Sequence, residues 1–264
     1  MKIGVESAHS FGDACFNIPL IKALSSRYKT KIAVATRKPY IDAFHNIPYI
    51  DKIIPIDSMG EGIPKLQQMG YQAHQITQNI KFFEFKQSDP EHSLIDTPLA
   101  TGRQMGLEPF NQRPIFAPTL EEHLAVSSLV TGEPTIAIES EYRSGQSWAT
   151  PEDFELILNH HACRILWLSN KGAPSHVDNM LRYTRRQVIL SLQACDTFYS
   201  VGSGFFCACL ALPSHLQPKK IVCLWDDTLY KYERRLNELK WHPQLVWVHN
   251  RQELEACLTG QSPY

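Results

Sequence analysis

Asp13 stands where a carboxylate can do chemistry. It closes the polar loop Ser7-Ala8-His9-Ser10-Phe11-Gly12-Asp13, which follows a short apolar run and leads into the helical stretch Leu20-Ile21-Lys22-Ala23-Leu24. Open parallel sheets bind ligands beyond the carboxyl ends of their strands, in loops of this kind. A carboxylate there can take a proton from an attacking hydroxyl. It can equally cap the helix, a common task for Asp at a helix start, and position alone leaves both readings open. Gly12 reads as the residue that permits a tight turn.

A second loop, Val201-Gly202-Ser203-Gly204-Phe205, precedes the apolar segment Phe206 to Leu212. Glycines let backbone amides approach an anion, the following helix start supplies partial positive charge, and Ser203 adds a hydroxyl. Such a loop can hold a diphosphate or simply form a turn. It is not a Walker loop, because no Gly-Lys-Ser/Thr follows, and it is not a full GxGxxG. A third loop, Glu139 to Trp148, is rich in hydrogen-bonding groups. Its Arg143 can pair with phosphate oxygens in bidentate fashion, whereas Trp148 reads as a packing anchor. Ser169-Asn170-Lys171-Gly172 is placed on the same rim, where Ser169 could touch a ribose or base.

No metal set emerges from the spacing. The seven cysteines are scattered without paired CxxC motifs and read as reduced, mostly buried thiols. Cys207-Ala-Cys209 and His160-His161 are the nearest approach to a cluster, and residues that close together on a helix point to different faces.

These loops need strands and helices to hold them. Short β-branched runs at 2–6, 30–35 and 52–56 are each followed by a segment that can be helical, 71–76 supplies a weaker fourth strand, and 91–105 reads as a helix ending near Gly106. The turn residues Thr131-Gly132-Glu133-Pro134 then restart the alternation, which places a domain boundary there and gives domains of 1–130 and 131–264. Further strands are expected at 135–138, 164–168, 197–201, 220–225 and 245–248, with a spacing that suits right-handed βαβ crossovers. Thr150-Pro151-Glu152-Asp153 carries the marks of a helix start, and Thr184 with Gln187 has capping-box spacing. Leu229, Tyr232, Leu236 and Leu239 form one helix face, with Lys231, Arg234, Arg235 and Lys240 mostly off it.

Composition narrows the function classes. With 264 residues, 43% hydrophobic and 20% charged, the chain is an ordinary globular one. Its 26 Lys+Arg against 27 Asp+Glu leave no global field toward nucleic acid or an anionic membrane. Val201 to Pro213, the longest uncharged apolar stretch, is too short to span a bilayer. The opening Met1-Lys2-Ile3-Gly4-Val5-Glu6 leaves no room for a signal-peptide apolar region, so a cytoplasmic location is expected.

Several of these segments, taken in order, resemble one family. Gly12-Asp13 after the first strand, with Pro19 and then Ala23-Leu24, resembles the opening motif of the ADP-heptose:lipopolysaccharide heptosyltransferases, glycosyltransferase family 9. Ile47 to Ile54, Gly70 to Gln78, Trp148 to Phe154 and Gly202 to Leu212 resemble its link into the third strand, its fourth strand, the helix start of its second domain and its nucleotide-binding loop. The resemblance implies a GT-B architecture, an α/β fold of two Rossmann-like domains whose parallel sheets face a central cleft. It implies an acceptor bound mainly by the first domain and a nucleotide sugar mainly by the second. Asp13 would be the general base, with Gly12 beside it, and Gly202, Ser203 and Gly204 would contact the donor diphosphate. No cofactor or metal is expected beyond the nucleoside diphosphate sugar itself. The partners implied are that sugar and a glycan or lipid-linked acceptor of lipopolysaccharide biosynthesis, with peripheral membrane contact and no nucleic acid. This chain departs from the pattern in having Gly202 where the family usually has an acid, Cys207 where it usually has a histidine, and Gln146 where it has a lysine. Those departures keep open a non-catalytic nucleotide-binding protein on the same scaffold. Transfer onto nucleic acid rests only on the basic residues near Arg234.

Overall fold

The computed structural model describes residues 1–7, 10–76, 96–141, 147–169, 173–226 and 230–261. Two compact units divide the chain, Met1–Ala117 and Pro118–Tyr264. The first is built on strands β1 (Ile3–Glu6), β2 (Ile32–Arg37), β3 (Ile50–Ile56) and β4 (Gln72–Gln75), with helices α1 (Phe11–Tyr28), α2 (Gly62–Gln68) and α3 (Thr97–Gln104). Its sheet runs in the order β3-β2-β1-β4, parallel throughout. Ile3, Val5, Ile32, Val34, Leu20 and Leu24 are fully buried, which explains why β1 and β2 read as nearly continuous apolar runs.

The second unit contains α4 (Leu120–Val126), β5 (Thr135–Ile138), α5 (Pro151–His160), β6 (Arg164–Trp167), β7 (Asp178–Asn179), α6 (Arg185–Ser191), β8 (Thr197–Ser200), α7 (Gly204–Ala211), β9 (Lys220–Leu224), α8 (Tyr230–Leu239), β10 (Leu245–Val248) and α9 (Arg251–Leu258). Its parallel sheet runs β10-β9-β8-β5-β6-β7. In chain order this is 3-2-1-4-5-6, the doubly wound arrangement whose crossovers reverse direction between the first and fourth strands. In the second unit that switch point lies between β5 and β8; in the first it lies between β1 and β4.

Expected helix starts at Thr150 and Thr184 are present as capping boxes with Asp153 and Gln187. A third box, Thr119 with Glu122, opens α4. Glu122 also forms a paired salt bridge with the buried Arg186 of α6, one contact being 3.0 Å. That anchorage attaches α4 to the second unit, so the division falls at 117/118, ahead of the turn residues at 131–134. The two-residue β7, polar and at a sheet edge, carries too little apolar pattern to be expected. Of the helix read over 91–105, the described portion is α3; residues 91–95, like Leu229, lie outside the described residues.

Candidate functional site

In the first unit, Ser10 is the N-cap of α1 and its Oγ accepts from the Asp13 N–H at 3.1 Å. The same hydroxyl donates to Asp13 Oδ2 at 2.6 Å. Capping therefore belongs to Ser10, and Asp13 is the third helical residue, half-buried, with a carboxylate at the positive end of an 18-residue helix. Gly12 is inside the first turn of α1. The turn role expected for it is corrected: it is a buried helix residue.

One turn further along, buried Asn17 donates from Nδ2 to Ser7 Oγ at 3.0 Å, linking α1 to the end of β1. Glu6, the last residue of β1, is 1% exposed. Its carboxylate accepts from the Gly60 N–H at 2.6 Å and the Ile63 N–H at 3.1 Å, holding the loop into α2. Gly62 is required there, because a Cβ would lie 2.7 Å from Ala35 Cβ and 2.8 Å from Glu6 Oε2.

In the second unit, Gly202, Ser203 and Gly204 join β8 to α7 at the switch point. Ser203 is the N-cap of α7 and its Oγ accepts from the Phe205 N–H at 3.2 Å. Gly202 has φ +74, and a Cβ on it would collide with the Trp225 indole at 1.5 Å. This explains why no acid stands at 202: the backbone is left-handed and Trp225, clustered with Phe206 and Trp247, occupies the side-chain space. Ser203, Gly204 and Phe205 remain partly exposed, so the open face of the loop is its helix-start end. Cys207 is buried in α7.

Beneath the loop lies a group that the sequence reading passed over. Glu139, just past β5, is 2% exposed. The Ser200 hydroxyl donates to its Oε2 at 2.7 Å and the Ser203 hydroxyl contacts its Oε1, while the Gly202 N–H donates to Ser200 Oγ at 3.1 Å. Burial raises the Glu139 pKa to about 8, with the Ser200 hydroxyl and the Ser203 backbone N–H pulling the other way. The signal available was its place: an acid directly after the short apolar run Ile136-Ala137-Ile138, at the end of a strand beside the switch point.

Ser169 is 3% exposed, and its Oγ accepts from the Ser140 N–H at 2.7 Å and the Glu141 N–H at 3.1 Å. It thus fixes the start of the 139–148 loop. Trp148 Nε1 donates to the Val248 carbonyl at 2.7 Å and fixes the far end, the anchoring role expected of it. Between these ends, Arg143 and Gln146 lie outside the described residues, as do Asn170, Lys171 and Gly172. Among the described residues no group of three or more His, Cys, Asp or Glu side chains is arranged to hold a metal ion.

No protein-family model matches the chain, and the search of curated proteins gives no match. Solved structures do match. A glycosyl transferase family 9 protein from Veillonella parvula superimposes with TM-score 0.64 at 10% identity, over 98% of this chain and 98% of that one. ADP-heptose lps heptosyltransferase II of E. coli gives TM-score 0.62 at 15% identity, over 86% and 85%. An E. coli heptosyltransferase solved with ADP gives 0.56 at 12%, over 90% and 97%. This is a heptosyltransferase-like GT-B fold. Within the heptosyltransferase-like fold, the chain's two switch points carry Asp13 with Ser10 on one unit and Glu139, Ser200 and Ser203 on the other.

Proposed function

We propose that the protein is a glycosyltransferase that moves a sugar from a nucleoside diphosphate to a glycan or lipid-linked acceptor, with inversion and without a metal ion. The observation that supports this reading is what each unit holds at its own switch point: a half-buried carboxylate at the start of α1 in the first, and a partly open helix-start loop in the second. The structural likeness to enzymes whose substrates are ADP-linked heptoses favours heptosyl transfer in lipopolysaccharide biosynthesis as its specific form.

In this reading Asp13 accepts the proton of the acceptor hydroxyl as it attacks the anomeric carbon from the face opposite the diphosphate. The Ser203 hydroxyl, the amides of Gly204 and Phe205 and the α7 dipole receive the leaving diphosphate, and Arg143 adds positive charge. Ser169 acts by holding the 139–148 loop. Nucleotide sugars are cytoplasmic metabolites in this reading, and a lipid-linked acceptor places the protein at a membrane surface. Among the described residues, no helix is long and apolar enough to cross a membrane.

A second reading, a nucleotide-binding protein without turnover, is favoured by one contact: the Trp225 indole covers Gly202 and narrows the open part of the loop to 203–205. The first test is a thermal-shift screen of nucleoside diphosphates and their sugars. A native-state ligand at 100 times Kd should add about 2.7 kcal/mol, and the gain should persist in EDTA. Gly204→Val should abolish it while the protein stays folded. An unchanged shift in that variant removes the loop from the proposal.

A further inference from the structure

Glu139 is not needed to explain the fold. Its two oxygens are held by hydroxyls, which can reverse direction. In the ionised form, Ser200 and Ser203 each donate their single hydroxyl proton to it, and Ser203 has none left for a ligand. In the neutral form, Glu139 donates from Oε1 to Ser203 Oγ, which also accepts from the Phe205 N–H, and the Ser203 proton is free to point out of the loop. Ser200 keeps its bond to Oε2 in both forms.

We propose that Glu139 is a positioning residue of the donor loop: it takes up a proton when an anionic diphosphate docks at the start of α7, and so turns the Ser203 hydroxyl from the carboxylate to a phosphate oxygen. The inference rests on the donor reading above. The proton comes from solvent and remains on Glu139 Oε1; only hydrogen-bond directions change at Ser203. Two physical effects push the same way. A buried negative charge behind the loop repels the incoming anion, and neutralising it removes that repulsion. The neutral acid also adds one donor to the loop.

The groups facing Glu139 allow this. Besides Ser200 of β8 and Ser203 at the α7 cap, its electrostatic neighbours include Cys209 of α7 and Cys223 of β9, both buried thiols that burial holds protonated. With Glu139 titrating near 8, ionised and neutral forms both lie within reach of ordinary conditions.

Calorimetry of ADP binding to the wild-type protein, in pairs of buffers of different ionisation enthalpy, tests the proposal without any variant. From about pH 7.5 to about pH 9.5 the terminal phosphate of ADP is already ionised. Net proton uptake should accompany binding near pH 8, and affinity should fall toward about tenfold per pH unit above it. Glu139→Gln, which imitates the neutral acid, should bind ADP with pH-independent affinity and no uptake. Ser203→Ala should weaken binding by about tenfold near pH 7.5, because the phosphate oxygen then lacks the hydroxyl that the neutral acid releases. Binding without proton uptake, or uptake that persists in Glu139→Gln, overturns the inference while leaving the donor loop in place. A protein that binds none of ADP, GDP, UDP, CDP or inorganic pyrophosphate overturns the donor reading, and this inference with it.

Discussion

Glu6 closes β1 and Glu139 directly follows β5 within nearly the same words, Ile3-Gly4-Val5-Glu6-Ser7 and Ile136-Ala137-Ile138-Glu139-Ser140. Both are buried at a switch point. Their partners differ. Glu6 is held by two backbone N–H groups, which can only donate, so both of its oxygens must accept. Glu139 is contacted by two serine hydroxyls, which can donate or accept, beside the Ser203 backbone N–H. The first arrangement locks a loop, and the second leaves a proton to be placed. Similar strand ends thus serve a structural role in one unit and a switchable role in the other, according to what the next crossover brings alongside.

The glycines beside these acids should show the largest effect on stability. Gly202→Ala places a Cβ against the Trp225 indole in a left-handed backbone, and should cost about 3 kcal/mol or more in denaturant unfolding. Gly62→Ala, in ordinary backbone but tight against Ala35 and Glu6, should cost about 1–3 kcal/mol. Equal small losses at both would contradict the packing described for the second unit.

The acids themselves come next. Glu6→Gln turns an amide NH₂ toward a backbone N–H and should destabilise by about 1–3 kcal/mol. Glu139→Gln should be nearly neutral, since it imitates the protonated acid. The wild-type pH profile sharpens the contrast. Glu139 has a folded pKa raised to about 8, so the native state holds a proton that the unfolded chain releases near pH 4.3. Its stabilising contribution is full below the unfolded pKa and is lost as pH rises through about 8, a change of a few kcal/mol. Glu139→Gln should flatten that slope; an unaltered slope would assign it to other groups.

The smallest effect concerns the two serine caps. Ser10→Ala removes the cap of α1 and should cost about 1 kcal/mol, and Ser203→Ala should cost a similar amount at α7. Only Ser203→Ala should also alter diphosphate binding, because Ser10 serves the unit assigned to the acceptor.

Much of this scaffold was legible from apolar runs and turn residues. Strands β5 and β10 have the expected bounds, the other expected strands differ by one or two residues at their ends, where chain pairing rather than side-chain type decides the limit, and β7 was not expected. The start of α5 was legible because Thr150-Pro151 and Asp153 signal a cap locally. The unit division was not, since it depends on Glu122 meeting Arg186, 64 residues away. Gly12 misled because glycine is common in turns, whereas here Ser10 opens the helix two residues earlier. Glu139 was passed over although the repeated Ile-small-apolar-Glu-Ser pattern was visible, because its meaning depends on Ser200 and Ser203 arriving from a strand three crossovers later.

The central claim is that the first unit supplies a catalytic base while the second binds the nucleotide. Asp13→Asn tests it directly, because Asn keeps the size of the side chain and can bond to Ser10 but cannot take the proton. Release of nucleoside diphosphate from a nucleotide sugar should fall by at least about a hundredfold, with binding of the nucleoside diphosphate unchanged. Equal release rates in the wild-type protein and Asp13→Asn would contradict the account.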